Sequence, residues 1–309
     1  MAISQIGMII RRRRMELGLS QEDLADGICA VTTLSRIENG ERMPTQNHLE
    51  ILLQRIGYSD MMLQSCVDEN DFIAHELKFK IRQAYIEKDA TKARELLQQF
   101  EALVAKPSKV DEQFILLQRI WLYSERYTNE ERLQELERAI RLTHPKYKQG
   151  SVPFLLSYEE IVLLNNIAIN LALYNNRKDA IDMLYNIVRY YDTHIVNIEE
   201  TLRTEPMILY NLSKMLGLEN RFDECISICD RGIQLAQRTG RSQFFGKTLY
   251  NKAWACLKRD SMKHLQEASN LIQRALSIAI AFEDEQLAES CKSLIKTYNL
   301  SQAYCITSA

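Results

Sequence analysis

Glycine and proline are scarce, ten and five of 309 residues, too few for the tight turns of a β-sandwich or barrel. Apolar runs such as Ile161–Leu164 fall far short of the ~18 residues a membrane span needs. The chain opens Met-Ala-Ile-Ser and meets Arg11–Arg14 before any apolar stretch, which is not the order of a secretory signal. The seven cysteines (29, 66, 225, 229, 256, 291 and 305) are odd in number and lack paired spacing. They are expected to be reduced thiols filling cores in a cytoplasmic protein. Positive charge is not in surplus either: 39 Lys and Arg stand against 41 Asp and Glu, so any nucleic-acid contact must come from a local patch. Walker loop, dinucleotide fingerprint and nucleophile elbow are all missing. The five histidines (48, 75, 144, 194 and 264) fall in different predicted helices without metal spacing. An all-α protein is expected, with no enzymatic activity, no cofactor and no metal.

Two regions have different grammar. Gly7, Gly18, Gly27, Gly40 and Gly57, half of all the glycines, sit in the first 57 residues. Short helices with tight corners are expected there, and long helices with few breaks beyond. The boundaries predicted are 1–66 for the first domain, 67–71 for a helical linker, 72–299 for the second domain and 300–309 for a tail.

Ile3, Ile6, Ile10 and Leu17 form one helical stripe, with Arg14 as its odd member. Ser20-x-x-Asp23 is a capping box that opens a second helix. After a very short connection, a third helix runs over about Val31–Asn39 and stops at Gly40. A fourth follows around Leu49–Ile56 and a fifth around Met61–Cys66. Two short helices joined by so tight a turn have helix-turn-helix geometry. On the third, Leu34, Ile37 and Glu38 share one face, and Thr32, Ser35, Arg36 and Asn39 the other. Small hydroxyls, an arginine and an amide can enter a major groove and bond base edges or phosphates. Arg14 and Glu38 each lie on a buried stripe and are expected to pair inside the domain.

Leu19-Ser20-Gln21-Glu22-Asp23-Leu24-Ala25 followed by Leu34-Ser35-Arg36-Ile37-Glu38-Asn39-Gly40 resembles the DNA-binding domain of lambdoid phage repressors and Xre-type regulators. The resemblance implies that Gln21 touches phosphate and that Val31, Thr32 and Arg36 take base-reading positions. Ser35 would lie near the backbone or a base, with Thr33, Asn39 and Arg42 completing the DNA-binding set. It also implies that Arg14 and Glu38 form the family's buried ion pair. Residues 1–60 hold seven arginines, no lysine and eight acids, so binding must rely on placement. Two copies on a palindromic operator would double the contacts.

The second region repeats itself. Leu209-Tyr-Asn-Leu-Ser213, Phe222-Asp-Glu-Cys225-Ile226 and Gly232-Ile233 follow the tetratricopeptide pattern. Copies recur at Asn166-Ile-Ala168 with Lys178-Asp-Ala180-Ile181, and at Tyr250-Asn-Lys-Ala253 with Glu267-Ala268 and Ala275-Leu276. Fainter ones lie around Ile81 with Ala93 and Ile120 with Arg132 and Ala139. Five hairpins are predicted, over about 72–105, 111–143, 157–192, 204–240 and 244–282, with a closing helix at 285–298. Stacked hairpins of this kind build a right-handed superhelix with a concave face.

A helix-turn-helix on such an array resembles the peptide-pheromone receptors of Gram-positive bacteria, the grouping of Rap, Rgg, NprR, PlcR and PrgX proteins. Ala25-Asp-Gly-Ile-Cys-Ala30 with Leu34–Gly40 is most like the PlcR and NprR members. The resemblance implies a cytoplasmic homodimer that binds double-stranded DNA and a short signalling peptide. Asn166, Asn211 and Asn251 fall at one repeat position, Gln118 takes it in the second hairpin, and Asn170 lies one turn after Asn166. A carboxamide both donates and accepts, which suits an extended peptide backbone. An asparagine there can equally bridge neighbouring helices. The residues also fit a ligand-independent repressor that uses its repeats only to dimerise, or a protein-interaction scaffold.

Overall fold

The computed structural model describes residues 2–57, 69–174, 176–194 and 198–300. The predicted fifth helix (61–66), the 66/67 boundary and residues 301–309 of the tail lie outside these. Among the described residues all regular structure is helical, as the glycine and proline counts require. No described helix is long and apolar enough to cross a membrane.

The N-terminal helices are α1 (Ala2–Glu16), α2 (Gln21–Ala25), α3 (Val31–Glu38) and α4 (Gln46–Arg55). Ser20 caps α2 through a full capping box with Asp23, and α2 ends at Ala25, three residues short of Ile28, where the sequence predicts its end. Leu24, Leu34, Ile37, Leu52 and Ile56 are fully buried together. Gly7 sits where α1 crosses α3: a Cβ there would come within 1.9 Å of the Ile37 carbonyl oxygen.

The following helices are α5 (Glu69–Ile86), α6 (Ala90–Leu103), α7 (Lys109–Leu122), α8 (Asn129–Thr143), α9 (Tyr158–Leu173), α10 (Arg177–Thr193), α11 (Ile198–Leu218) and α12 (Phe222–Thr239), with α5 packed on α6 and α7 on α8. A 37-residue run, α13 (Phe245–Ala281), is broken at Asp260, whose backbone is extended. α14 (Glu285–Thr297) follows. Two helices thus meet at Asp260, within the range of the predicted fifth hairpin. Ala93, Ala139, Ala180, Cys225 and Ala268 are completely buried, where small side chains let helices cross closely. Cys225, Cys229, Cys256 and Cys291 are buried free thiols, and Cys29 is half-buried.

The chain divides into two units, residues 1–176 with 193–200, and 177–192 with 201–309. Within the first, two helix caps serve a second purpose. Ser108 and Ser157 open α7 and α9 through capping boxes with Asp111 and Glu160. The second oxygen of each acid is bound to the N-terminal helices. Asp111 Oδ1 accepts from Asn47 Nδ2 of α4 at 2.7 Å and lies 3.2 Å from Lys78 Nζ of α5. Glu160 Oε1 lies 3.4 Å from Arg55 Nη2 of α4 and 3.1 Å from His144 Nε2. Arg55 Nη1 also donates to the Asp26 carbonyl at 2.7 Å. At the same contact Gly27 (φ +73°) leaves no room for a side chain, since a Cβ would fall 1.3 Å from the Thr143 carbonyl oxygen. Burial alone would raise the Glu160 carboxyl, but His144 and Arg55 outweigh it and hold the group far below the usual carboxylate range.

Candidate functional site

The surface of α3 is built from inside. Arg14 Nε and Nη2 donate to the two Glu38 oxygens at 2.6 and 2.8 Å, and Nη1 donates to the Leu19 carbonyl at 2.7 Å. The Glu38 hydrogen bonds raise the Arg14 pKa against the effect of burial. Both residues are buried. This bidentate pair ties α1 to the inner face of α3 and to the turn before α2. With Leu34 and Ile37 also buried, the opposite face has to be outward.

Val31, Thr32, Arg36, Asn39 and Arg42 are exposed, and Thr33 and Ser35 half-buried. Arg36 has only a loose ion pair, 3.8 Å to Glu41, with more than half of its side chain in solvent. Arg11, in the arginine run that the sequence places partly near phosphates, reaches Asn39 Oδ1 at 3.5 Å and adds a second cation beside this face. Gln21 is more committed: its Nε2 donates to Glu38 at 2.7 Å, leaving one amide hydrogen for a phosphate.

The repeat amides do not share one environment. Asn166 Oδ1 accepts from Trp121 Nε1 of α7 at 3.2 Å, while its Nδ2 donates to the Val162 carbonyl at 2.8 Å. Asn170 Nδ2 donates to the Asn166 carbonyl at 2.8 Å. Asn170 Oδ1 and Gln118 Oε1 are buried with no partner among the described residues. Asn211 is half-buried.

Asn251 belongs to a pocket of about 460 Å³ in the second unit. Its Nδ2 donates to Ser213 Oγ at 2.9 Å and reaches the Tyr210 carbonyl at 3.5 Å. Of the five predicted amides it alone lines this pocket. Tyr210, Ser213 and Lys214 enter from α11, Lys247, Tyr250 and Trp254 from α13, and Gln286 and Ser290 from α14. Tyr210 stacks on Phe244 with ring centres 5.3 Å apart, and Trp254 meets Phe222 edge-on at 5.9 Å. Burial pushes both the Tyr210 and Tyr250 phenols up, keeping them neutral. Lys247 is paired with Asp284 at 3.2 Å, whereas Lys214 is exposed. Aromatic walls, one half-used carboxamide, hydroxyls and a cation suit a short amphipathic chain. The motif had not marked Lys214, Trp254, Gln286 and Ser290. Lys214 and Trp254 had one signal, spacing: each follows a register asparagine by three residues, on nearly the same helix face.

Residues 10–60 match a helix-turn-helix domain, and residues 83–279, well over half of the chain, match the RNPP family C-terminal domain. No curated protein sequence matches the chain. Among solved structures, PlcR of Bacillus thuringiensis in complex with the peptide PapR7 and DNA is similar, with a TM-score of 0.61 at 18% identity over 93% of this chain and 99% of that one. ComR of Streptococcus vestibularis in its apo form gives 0.52 at 18%, over 96% and 99% of the two chains. ComR of S. thermophilus in complex with DNA and its signalling peptide ComS gives 0.52 at 19%, over 96% and 100%. These likenesses extend the shared fold across both regions. With that C-terminal domain behind an Xre-type helix-turn-helix, the chain belongs to the RNPP family.

Proposed function

We propose that this chain is a cytoplasmic transcription regulator that binds a palindromic operator as a homodimer and is controlled by a short signalling peptide. In this reading Val31, Thr32, Ser35 and Arg36 read bases, while Gln21, Thr33, Asn39 and Arg42 hold the backbone. The peptide lies on the repeat domain, part of it in the pocket beside Asn251. The observation that carries the proposal is the outward face of α3: exposed, polar and cationic, on a helix whose inner face is locked by Arg14 and Glu38. The PlcR and ComR structures, crystallised with DNA and with peptides, support it by shared fold. No catalytic role is proposed.

Footprinting on the chain's own promoter, with and without synthetic peptides encoded by neighbouring short open reading frames, tests both halves. A protected palindrome whose occupancy changes with one peptide is expected. Absence of a specific footprint in either condition removes the DNA reading. A footprint that no peptide alters, together with an unmoved melting temperature, leaves a ligand-independent repressor. The internal bonds of Asn166 favour the helix-bridging role at that position.

A further inference from the structure

Cys256, His264 and Glu267 lie outside the pocket, on the two halves of α13. Their ligand atoms all lie within 4.8 Å of one another. Residues 256 and 264 on an unbroken helix would be separated by about 12 Å along its axis. The extended backbone of Asp260 interrupts the helix between them and lets the later half face the earlier one.

We propose that Cys256, His264 and Glu267 form a binding site for one thiophilic divalent cation, with Zn²⁺ the best fit. A thiolate sulfur, an imidazole nitrogen and a carboxylate oxygen are the three donor types zinc takes. Three protein ligands leave a fourth position to water, as in exchangeable rather than closed sites. The thiolate and the carboxylate together balance the ion's charge.

The present partners of the cluster can release it without stranding a charge. His264 is held by Arg259, and Glu267 by Lys252 at 3.0 Å. Each of those cations has another carboxylate: Arg259 is paired with Asp223, and Lys252 with Asp230 at 2.8 Å. When His264 and Glu267 turn to the metal, both basic side chains therefore stay paired. Access is from the solvent side, because the Glu267 side chain is 45% exposed and that of His264 14%, above a buried Cys256. Trp254 and Asn251, which line the pocket, share the first half of α13 with Cys256. A metal clip between the two halves would stiffen that wall.

The test uses reduced, tag-free, chelator-treated protein. Titration with Co²⁺ is expected to produce a thiolate-to-cobalt charge-transfer band that saturates at one ion per chain. Competition against a chromophoric chelator should show matching Zn²⁺ uptake, with a raised melting temperature. C256S should abolish the band. Because Cys256 is in the core, H264Q and E267Q carry the same test on side chains that reach solvent. Each should keep the helical circular dichroism and weaken Zn²⁺ by more than the ~10–100-fold typical of losing an outer-shell partner. Wild-type protein that takes up no Zn²⁺, or H264Q and E267Q variants that bind it as wild type does, would overturn the site.

Discussion

The α3 surface and the repeat register use similar polar residues in opposite ways. On α3 the hydroxyls, Arg36 and Asn39 face solvent, and their few contacts are long, 3.5 Å from Arg11 to Asn39 and 3.8 Å from Arg36 to Glu41. In the repeats Asn166 and Asn251 are engaged inside the helix packing. The difference follows from what lies behind each residue. A short helix with one face pinned by an ion pair must show its other face to water. An amide at a helix crossing meets buried carbonyls and indoles that need partners, and it is used to satisfy them. A recurring asparagine therefore marks packing register first and a ligand face only where a cavity adjoins it.

The largest effect that would break this comparison comes from the pinned face. Glu38→Ala removes three hydrogen bonds at once, two from Arg14 and one from Gln21, and strands a buried guanidinium. Loss of about 3–5 kcal/mol is expected, read by chemical or thermal unfolding. An unchanged midpoint would mean that the outward face does not depend on the inner lock.

Arg36→Ala addresses the other face. Stability should hold, since its one ion pair is exposed and loose. Specific operator affinity should fall by about 1–3 kcal/mol per half-site, measured by footprinting titration. Equal loss on specific and random DNA would reassign Arg36 from base reading to phosphate contact.

Much of the fold was legible because the apolar stripes, capping boxes and small crossing residues are local signals. Ser20-x-x-Asp23 marks the start of α2, and the positions of Ala93, Ala180, Cys225 and Ala268 mark the close crossings. The contact between α4 and the repeats was not legible, for a physical reason. Asp111 and Glu160 are the acids of capping boxes. One carboxylate oxygen satisfies the cap while the other reaches a residue 64 or 105 positions away. No periodicity encodes that second bond. The repeat pattern placed a hairpin over 244–282 but not its sharp corner, where Asp260 accepts from the backbone amide of Lys263 and caps the second half without a separate loop. At the pocket, the repeat register marked Asn251 but not Lys214 or Trp254, because an exposed lysine and a single half-buried indole leave no apolar pattern.

The carboxylate at the α4 contact makes a smaller, pH-dependent prediction. The folded Glu160 titrates below its ordinary value of 4.5, so the unfolded chain takes up its proton first. Its contribution is complete above that value and is lost as the pH falls toward the depressed folded one. Unfolding followed from neutral to acid pH should show this loss. Glu160→Gln should start less stable at neutral pH, with Arg55 and His144 losing their shared partner, and should show a shallower acid slope. An identical slope in both proteins would place the acid sensitivity elsewhere.

The smallest effects separate the two kinds of asparagine. Asn166→Ala leaves the Trp121 indole N–H without its acceptor and should cost about 1 kcal/mol in the peptide-free protein. Its amide is used on both sides, so peptide affinity should not move. Asn251→Ala removes a bond to the buried Ser213, whose hydroxyl keeps the Tyr210 carbonyl as a second partner at 2.8 Å, so its cost to stability should be no larger. It also removes an amide that lines the pocket, and peptide affinity should fall by about 1 kcal/mol or more. Calorimetric titration and thermal unfolding of both variants give the four values needed. Equal loss of peptide affinity in both would restore the amides as one continuous ligand face. Loss in neither would confine Asn251 to packing, and the peptide would then have to be held by the aromatic walls and Lys214.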